Sequence, residues 1–162
     1  MAAKSTLVET KKQLKTFKDF CIFWVLIIAV SIINSLITFF RFDLAPENLP
    51  GLANAALEEQ VLSFLIIILI INLLIHLVNL FLAIKGIRIS AAPGNKKGHI
   101  VLGTVMCVLY AIATLSSISA LFNSVNLFTD LLTAILNLCN LAILIIYISM
   151  AKKIRLSAKS KK

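Results

Sequence analysis

The sequence predicts an all-α integral membrane protein, a bundle of four transmembrane helices. Three observations predict this fold: four long apolar runs without charge, a hydrophobic content of 60%, and the confinement of Lys and Arg to alternate connections. An ordinary soluble domain is only about 45–50% apolar, and a 162-residue chain cannot bury such an excess in one core. The mean hydropathy of +1.00 therefore indicates that lipid surrounds these runs.

The four apolar runs are long enough to cross a bilayer, because the hydrocarbon core takes about 20 helical residues. None of them contains Asp, Glu, Lys or Arg, and the prolines all lie in the connections. Within lipid, every backbone N–H and C=O group must be hydrogen-bonded inside the segment, so the runs are predicted to be helices. The predicted spans cover residues 20–40, 61–84, 100–122 and 131–150.

The parts predicted to lie outside the bilayer are short. Residues 1–19 form a basic amphipathic segment, which is either a helix on the membrane surface or an extension of the first span. The outer loop 123–130 is so short that the third and fourth spans should form an antiparallel hairpin. The remaining connections are an outer loop at 41–60, a basic loop at 85–99 and a basic tail at 151–162.

The positive charges predict the orientation. Of the 16 Lys and Arg residues, 15 lie in segments 1–19, 85–99 and 151–162, and the two other connections hold only Arg41. Because Lys and Arg near helix ends stay cytoplasmic, both termini and the basic loop are predicted to be inside. The net charge of +9 then follows from topology and favours the anionic lipid of the inner leaflet as a partner. Nucleic acid is not an expected partner, because the short tails offer no folded basic surface.

Two segments of the chain are similar in sequence. Residues 83–91 read AIKGIRISA and residues 150–158 read MAKKIRLSA, and each lies where a span enters the cytoplasm. One interpretation is a duplication that gives two tandem helical hairpins of the same orientation. The other is convergence, because a basic end that contains Ser is typical of any helix that exits inward.

Polar side chains inside the spans follow helical spacing and so share faces. In the second span, Asn72, His76 and Asn79 lie at positions i, i+4 and i+7. An Asn amide that faces hydrocarbon lacks a partner at a free-energy cost, whereas one that faces another helix can form a hydrogen bond. We therefore expect a polar seam inside the bundle, serving either helix–helix packing or as the lining of a hydrophilic path or ligand cavity. Its candidate residues are Asn34, Asn72, His76, Asn79, Thr114, Asn137 and Asn140.

Of the two histidines in the sequence, His76 is the one that lies within a predicted span. An ionisable residue in a membrane is a functional candidate by default. It is interpreted as a neutral, hydrogen-bonded side chain, as a gating or proton-transfer group, or as a metal ligand. Proton relays usually need a second titratable partner, and metal sites need more ligands. The three cysteines lie in apolar runs and are expected to pack as small apolar residues, and Trp24 is expected in an aromatic belt. We predict no catalytic, metal or cofactor site.

These patterns favour a small non-enzymatic membrane protein that acts through lateral helix–helix contacts, as an accessory subunit, an immunity-like protein or a scaffold. The alternative is an oligomeric pore or small transporter whose Asn, His, Ser and Thr side chains line a path. A membrane enzyme is the least favoured class. The expected protein partner is a second copy, in a homo-oligomer, or another membrane protein. A composition rich in Ile, Leu and Lys is typical of a low-GC bacterium, and we expect the chain in its cell membrane.

Overall fold

Four helices make up the computed structural model, which describes residues 2–43, 55–92, 97–122 and 127–159, with side-chain detail for 10–40, 62–92, 97–122 and 127–157. The helices are α1 (Ala2–Asp43), α2 (Ala55–Ala91), α3 (Gly98–Leu121) and α4 (Leu127–Lys159). Each contains a stretch that is long and apolar enough to cross a membrane: Thr10–Phe40, Leu62–Ala91, Gly98–Leu121 and Leu127–Ser157. The predicted all-helical fold and its four helices of transmembrane length are confirmed.

The helices are longer than the predicted spans. In α1 the helix runs without a break from Ala2 through the first predicted span to Asp43, and α4 continues past the fourth span to Lys159. Basic residues precede the apolar stretch in the α1 extension and follow it in the α4 extension, so the backbone stays helical where the side chains change between apolar and charged. Residues 44–54, 93–96 and 123–126, which fall in the predicted connections, lie outside the described residues.

The order of packing around the bundle is α2, α1, α4, α3. Contacts are extensive between α1 and α2, between α1 and α4, and between α3 and α4, whereas α2 and α3 make far fewer. Helices α1 and α4 run antiparallel, since Phe17 packs on Tyr147 near one end of the pair while Asn34 contacts Thr133 near the other. Helix α2 is also antiparallel to α1, since Gly86 meets Cys21 towards the first end and His76 lies near Ser35 towards the other. We call the end at which α1 starts and α4 finishes the basic end, and the other the opposite end.

The half of the bundle towards the basic end is closely packed. Its largest fully buried side chains include Phe17, Trp24, Ile28, Leu82 and Tyr147, all under 2% exposed. The Tyr147 ring lies with its centroid 5.5 Å from that of Phe17 and 5.4 Å from that of Trp24. Aromatic rings at such separations interact favourably beyond their burial. This half forms the hydrophobic core that holds α1, α2 and α4 together.

Large apolar side chains are exposed along all four helices, as Phe64, Leu74, Leu115 and Leu138 illustrate. In water such continuous apolar surface would drive association, whereas hydrocarbon solvates it without cost. The surface pattern therefore agrees with a small membrane protein. The most apolar stretch of α2 is the least buried, at 17% of its residues, so this helix has the largest surface left for lipid or another helix.

Candidate functional site

A cavity of about 220 Å³ lies in the half of the bundle towards the opposite end, and all four helices contribute to its wall. Helices α2 and α3 make few contacts with each other. Asn72 on α2 and Leu109 on α3 are both exposed where they line the cavity, so the cavity opens between these two helices. Its polar lining residues are Ser31, Asn34, Ser35, Thr38, Asn72, His76, Tyr110, Thr133 and Asn137.

The lining chemistry is neutral and rich in hydrogen-bonding groups. Among the described lining residues there are amides, hydroxyls, one imidazole and one phenol, but no carboxylate, ammonium or guanidinium group. Apolar side chains such as Leu65, Ile68 and Leu109 complete the wall. Such a cavity can hydrogen-bond an uncharged group but offers no counter-charge to an ion.

His76 lies between α1 and α3 and is only 7% exposed. Its Nε2 atom is 3.3 Å from the Ser35 hydroxyl oxygen, and its Nδ1 atom is 3.5 Å from the Tyr110 hydroxyl oxygen. The Ser35 hydroxyl donates to the backbone carbonyl of Ser31 at 3.0 Å, so its oxygen is left to accept from His76. Asn79 donates to the Tyr110 oxygen at 2.7 Å. Both ring nitrogens are therefore satisfied by the neutral tautomer that carries its proton on Nε2.

A second set of hydrogen bonds ties α4 to α1 beside the cavity. Asn140, which is 1% exposed, accepts a bond of 3.3 Å from the Trp24 indole at its Oδ1 atom. Its Nδ2 atom donates to the Ser31 hydroxyl at 3.1 Å and to the backbone carbonyl of Leu136 at 2.9 Å. Every polar group of this amide is thus used within the bundle, which is the arrangement that makes a buried amide favourable.

Two further amides bridge helices in the wall of the cavity. Asn34 on α1 donates to the Thr133 hydroxyl on α4 at 3.1 Å. Asn137 on α4 donates to the Ser117 hydroxyl on α3 at 2.8 Å. Together with Asn79 and Asn140, these residues show that four of the asparagines in the spans donate across a helix–helix interface.

Asn72 differs from the other asparagines of the spans. It lines the cavity, yet it is exposed, whereas Asn79 and His76 on the same face of α2 are 0% and 7% exposed. Among the residues that the structure describes, its amide has no hydrogen-bond partner. The reason is the separation of α2 from α3: the face of α2 that is covered at Asn79 is uncovered one to two turns further towards the opposite end.

The predicted polar seam is divided between the cavity and the packed interior. Asn34, Asn72, His76 and Asn137 line the cavity. The remaining three candidates, Asn79, Thr114 and Asn140, are buried beside it.

The interpretation of Trp24 as a belt residue is wrong, because it is 0% exposed and bonded to Asn140. The spacing of Trp24 from Phe17 and Ile28 on one helical face was the signal that could have placed it inside.

No group of three or more His, Cys, Asp or Glu side chains suited to a metal ion is found within the described ranges. Cys21, Cys107 and Cys139 are free thiols. Comparison of the chain with protein-family models, curated proteins and solved structures finds no match.

Proposed function

We propose that this chain is a small non-enzymatic membrane protein that acts through lateral contacts with another transmembrane helix, as an accessory subunit, an immunity-like protein or a scaffold. The proposal places both termini in the cytoplasm, because the basic segments then lie inside. The cavity consequently belongs to the outer half of the bundle. The membrane concerned is the cell membrane, as the composition suggests.

The exposed, unpartnered amide of Asn72 is the observation that carries this proposal. Position 72 lies halfway along the predicted span 61–84, where no headgroup or bulk water is available to a side chain that faces lipid. A polar group in hydrocarbon without a hydrogen bond is costly, and amide contacts between helices in membranes contribute about 0.6–2 kcal/mol. A helix that docks at the opening between α2 and α3 removes this cost.

The surroundings of Asn72 support a helical partner. Ile68, one turn away on the same face of α2, is 39% exposed, and Leu109 across the opening on α3 is 44% exposed. These apolar side chains flank the amide on both sides of the opening. A partner helix can therefore pack on aliphatic surface while its own polar side chain reaches the cavity.

Photo-crosslinking in native membranes tests this function. A photoreactive amino acid replaces Ile68, which lines the opening, and Leu74 serves as the control because it is 56% exposed on another face of α2. The expected result is an adduct at position 68 with a membrane protein identified by mass spectrometry. That adduct should disappear when Asn72→Leu is introduced and should be absent from position 74. Adducts with lipid alone at position 68 contradict the proposal.

A small transporter or an oligomeric pore is the second candidate, and the polar cavity favours it. The packed half at the basic end would block conduction through one copy. The side chains that fill it are fully buried and include Trp24, Leu82, Leu144 and Tyr147. A path would need several copies or a large rearrangement. Solute or ion flux into proteoliposomes that is abolished by both Asn72→Ala and His76→Ala would favour transport over lateral binding.

A further inference from the structure

The direction in which Asn72 faces defines what can bind it. Leu65, Ile68, Leu69, Asn72 and Ile75 all belong to one side of α2 and line the cavity. His76 lines the cavity from the same side of α2, but it is buried and bonded within the chain. Asn72 is therefore the polar residue that this stripe leaves accessible, with aliphatic residues on both sides. A straight transmembrane helix with the same pattern is its natural complement, because the apolar flanks pack while the central polar groups pair.

The Asn72 amide needs a hydrogen-bonding group that lies at the same depth in the membrane. A second copy of this chain has the same distribution of basic segments, so it inserts with the same orientation. Its α2 therefore presents the same residue at the same depth without any adjustment of register. An unrelated helix has to supply a matching polar residue independently.

An asparagine side chain can also pair with itself. It has an NH₂ donor and a carbonyl acceptor, so two amides related by a two-fold axis can each donate to the other. Within the described part of the spans, Asn34, Asn79 and Asn140 are buried and Asn137 is half-buried. Asn72 is therefore the exposed asparagine amide in this part of the spans, and it is the one with which a second copy can pair.

We propose that two copies of this chain associate through α2, with the two Asn72 amides paired about a two-fold axis along the membrane normal. The interface is isologous, so the same stripe of each copy is used. The α2 helix of each copy occupies the opening between α2 and α3 of the other and covers its cavity from the lipid. This inference depends on the proposed lateral function and specifies its partner.

Energy transfer between labelled copies in lipid vesicles tests the dimer. The full chain is labelled with donor or acceptor dye in separate batches, mixed, and reconstituted over a range of protein-to-lipid ratios. The unmodified chain should show saturable transfer. Asn72→Leu should raise the mole-fraction dissociation constant about tenfold, the change expected when two reciprocal amide bonds of average strength for a membrane are lost together.

Two variants control for chemistry and position. Asn72→Gln keeps a donor and an acceptor, so it should retain most of the dimer. Ser116→Leu replaces another exposed polar residue, on α3, and should leave the dissociation constant unchanged. Equal dissociation constants for Asn72→Leu and the unmodified chain overturn the proposal.

Disulfide formation gives a second measurement that does not depend on affinity. In a chain whose cysteines at positions 21, 107 and 139 are replaced by alanine, Ile68→Cys should cross-link two copies under mild oxidation. Leu74→Cys, which lies on another face of α2, should not. Cross-linking that is stronger at position 74 than at position 68 contradicts the α2 interface even if a dimer exists.

The failure of this inference is distinguishable from failure of the lateral function. A chain that is monomeric in vesicles at every ratio, while a photoreactive group at position 68 captures a different, identified membrane protein in cells, rules out the homodimer and leaves the lateral function standing. Monomeric behaviour in vesicles with adducts to lipid alone in cells rules out both.

Discussion

The α-carbon of Gly86 on α2 lies so close to Cys21 on α1 that a Cβ atom at position 86 would overlap the Cys21 sulfur. The same Cβ atom would lie 2.9 Å from a ring carbon of Tyr147 on α4. Three helices thus meet at this glycine near the basic end. Small residues allow helix backbones to approach closely in membranes, and here the missing side chain makes room for the packed half of the bundle.

Gly86→Ala should therefore destabilise the protein, by about 1–3 kcal/mol, the usual cost of overfilling a packed core. The matched control is Gly98→Ala, because a Cβ atom there meets nothing within 4 Å. That variant should be neutral or stabilising by up to about 1 kcal/mol, the helix preference of Ala over Gly. Unfolding in detergent micelles, followed by circular dichroism, measures both. Equal stability of the two variants would show that the three helices do not meet as closely as described.

Replacement of Asn140 should reduce the free energy of unfolding more than replacement of Asn137, because Asn140 makes more hydrogen bonds to other groups of the bundle. Asn140→Leu leaves both the Trp24 indole and the Ser31 hydroxyl without their partner in a dry environment, which should cost about 1–3 kcal/mol. Asn137→Leu breaks one bond, to Ser117, at a half-buried position in the cavity wall. Its cost should be below about 1 kcal/mol, near the average for membrane hydrogen bonds.

A double-mutant cycle isolates the Trp24–Asn140 bond. Trp24→Phe removes the indole donor, so it should cost less in the Asn140→Leu background than in the unmodified chain. The difference between the two costs is the coupling free energy, measured by the same unfolding experiment. A coupling of zero would mean that the two side chains are merely neighbours.

The proposed orientation makes Phe122 and Lys97 accessible from different sides of the membrane. In a chain without native cysteines, Phe122→Cys should react with a membrane-impermeant thiol reagent on intact cells. Lys97→Cys should react only after permeabilisation, because the basic connections stay cytoplasmic. Phe122 is 84% exposed at the end of α3, and Lys97 is exposed at its start, so neither site is hidden by packing. A permeant reagent provides the control for reactivity. The reversed pattern would place the cavity in the inner half.

The sequence predicts the helices well because lipid imposes a simple rule on them. Uncharged runs of about 20 residues must be helical wherever they cross hydrocarbon, so the four helices follow from composition and length. Helical spacing likewise places Asn34, His76 and Asn140 towards neighbouring helices.

The cavity could not be predicted, because it depends on how far α2 separates from α3. Spacing fixes which face of α2 carries Asn72 but not whether another helix covers that face. The burial of Trp24 was missed for a related reason, since its depth in the sequence fits a belt and an interior position equally well. In both cases the distance between helices decides the environment of the side chain.

Two tyrosines of similar burial should respond in opposite ways to the loss of their hydroxyl groups. Tyr110 is 3% exposed and Tyr147 is 0% exposed. The Tyr110 oxygen accepts the 2.7 Å bond from Asn79 and lies 3.5 Å from His76 Nδ1. The Tyr147 oxygen is buried and, within the described part of the chain, has no hydrogen-bond partner.

Tyr110→Phe should destabilise the protein by about 1–3 kcal/mol, because it leaves the amide of Asn79 and one nitrogen of His76 unsatisfied. Tyr147→Phe should be neutral or slightly stabilising, because it removes a buried polar atom that has no bond and keeps the ring that packs between Phe17 and Trp24. Unfolding of both variants in the same detergent measures their stabilities and so tests this difference between the two hydroxyl groups. A ¹⁵N spectrum of labelled histidine adds an independent readout: the Nδ1 signal of His76 should shift in Tyr110→Phe and stay unchanged in Tyr147→Phe. Similar losses in both variants, with no change at His76, would mean that Tyr110 supports the cavity through the packing of its ring and not through its hydroxyl group.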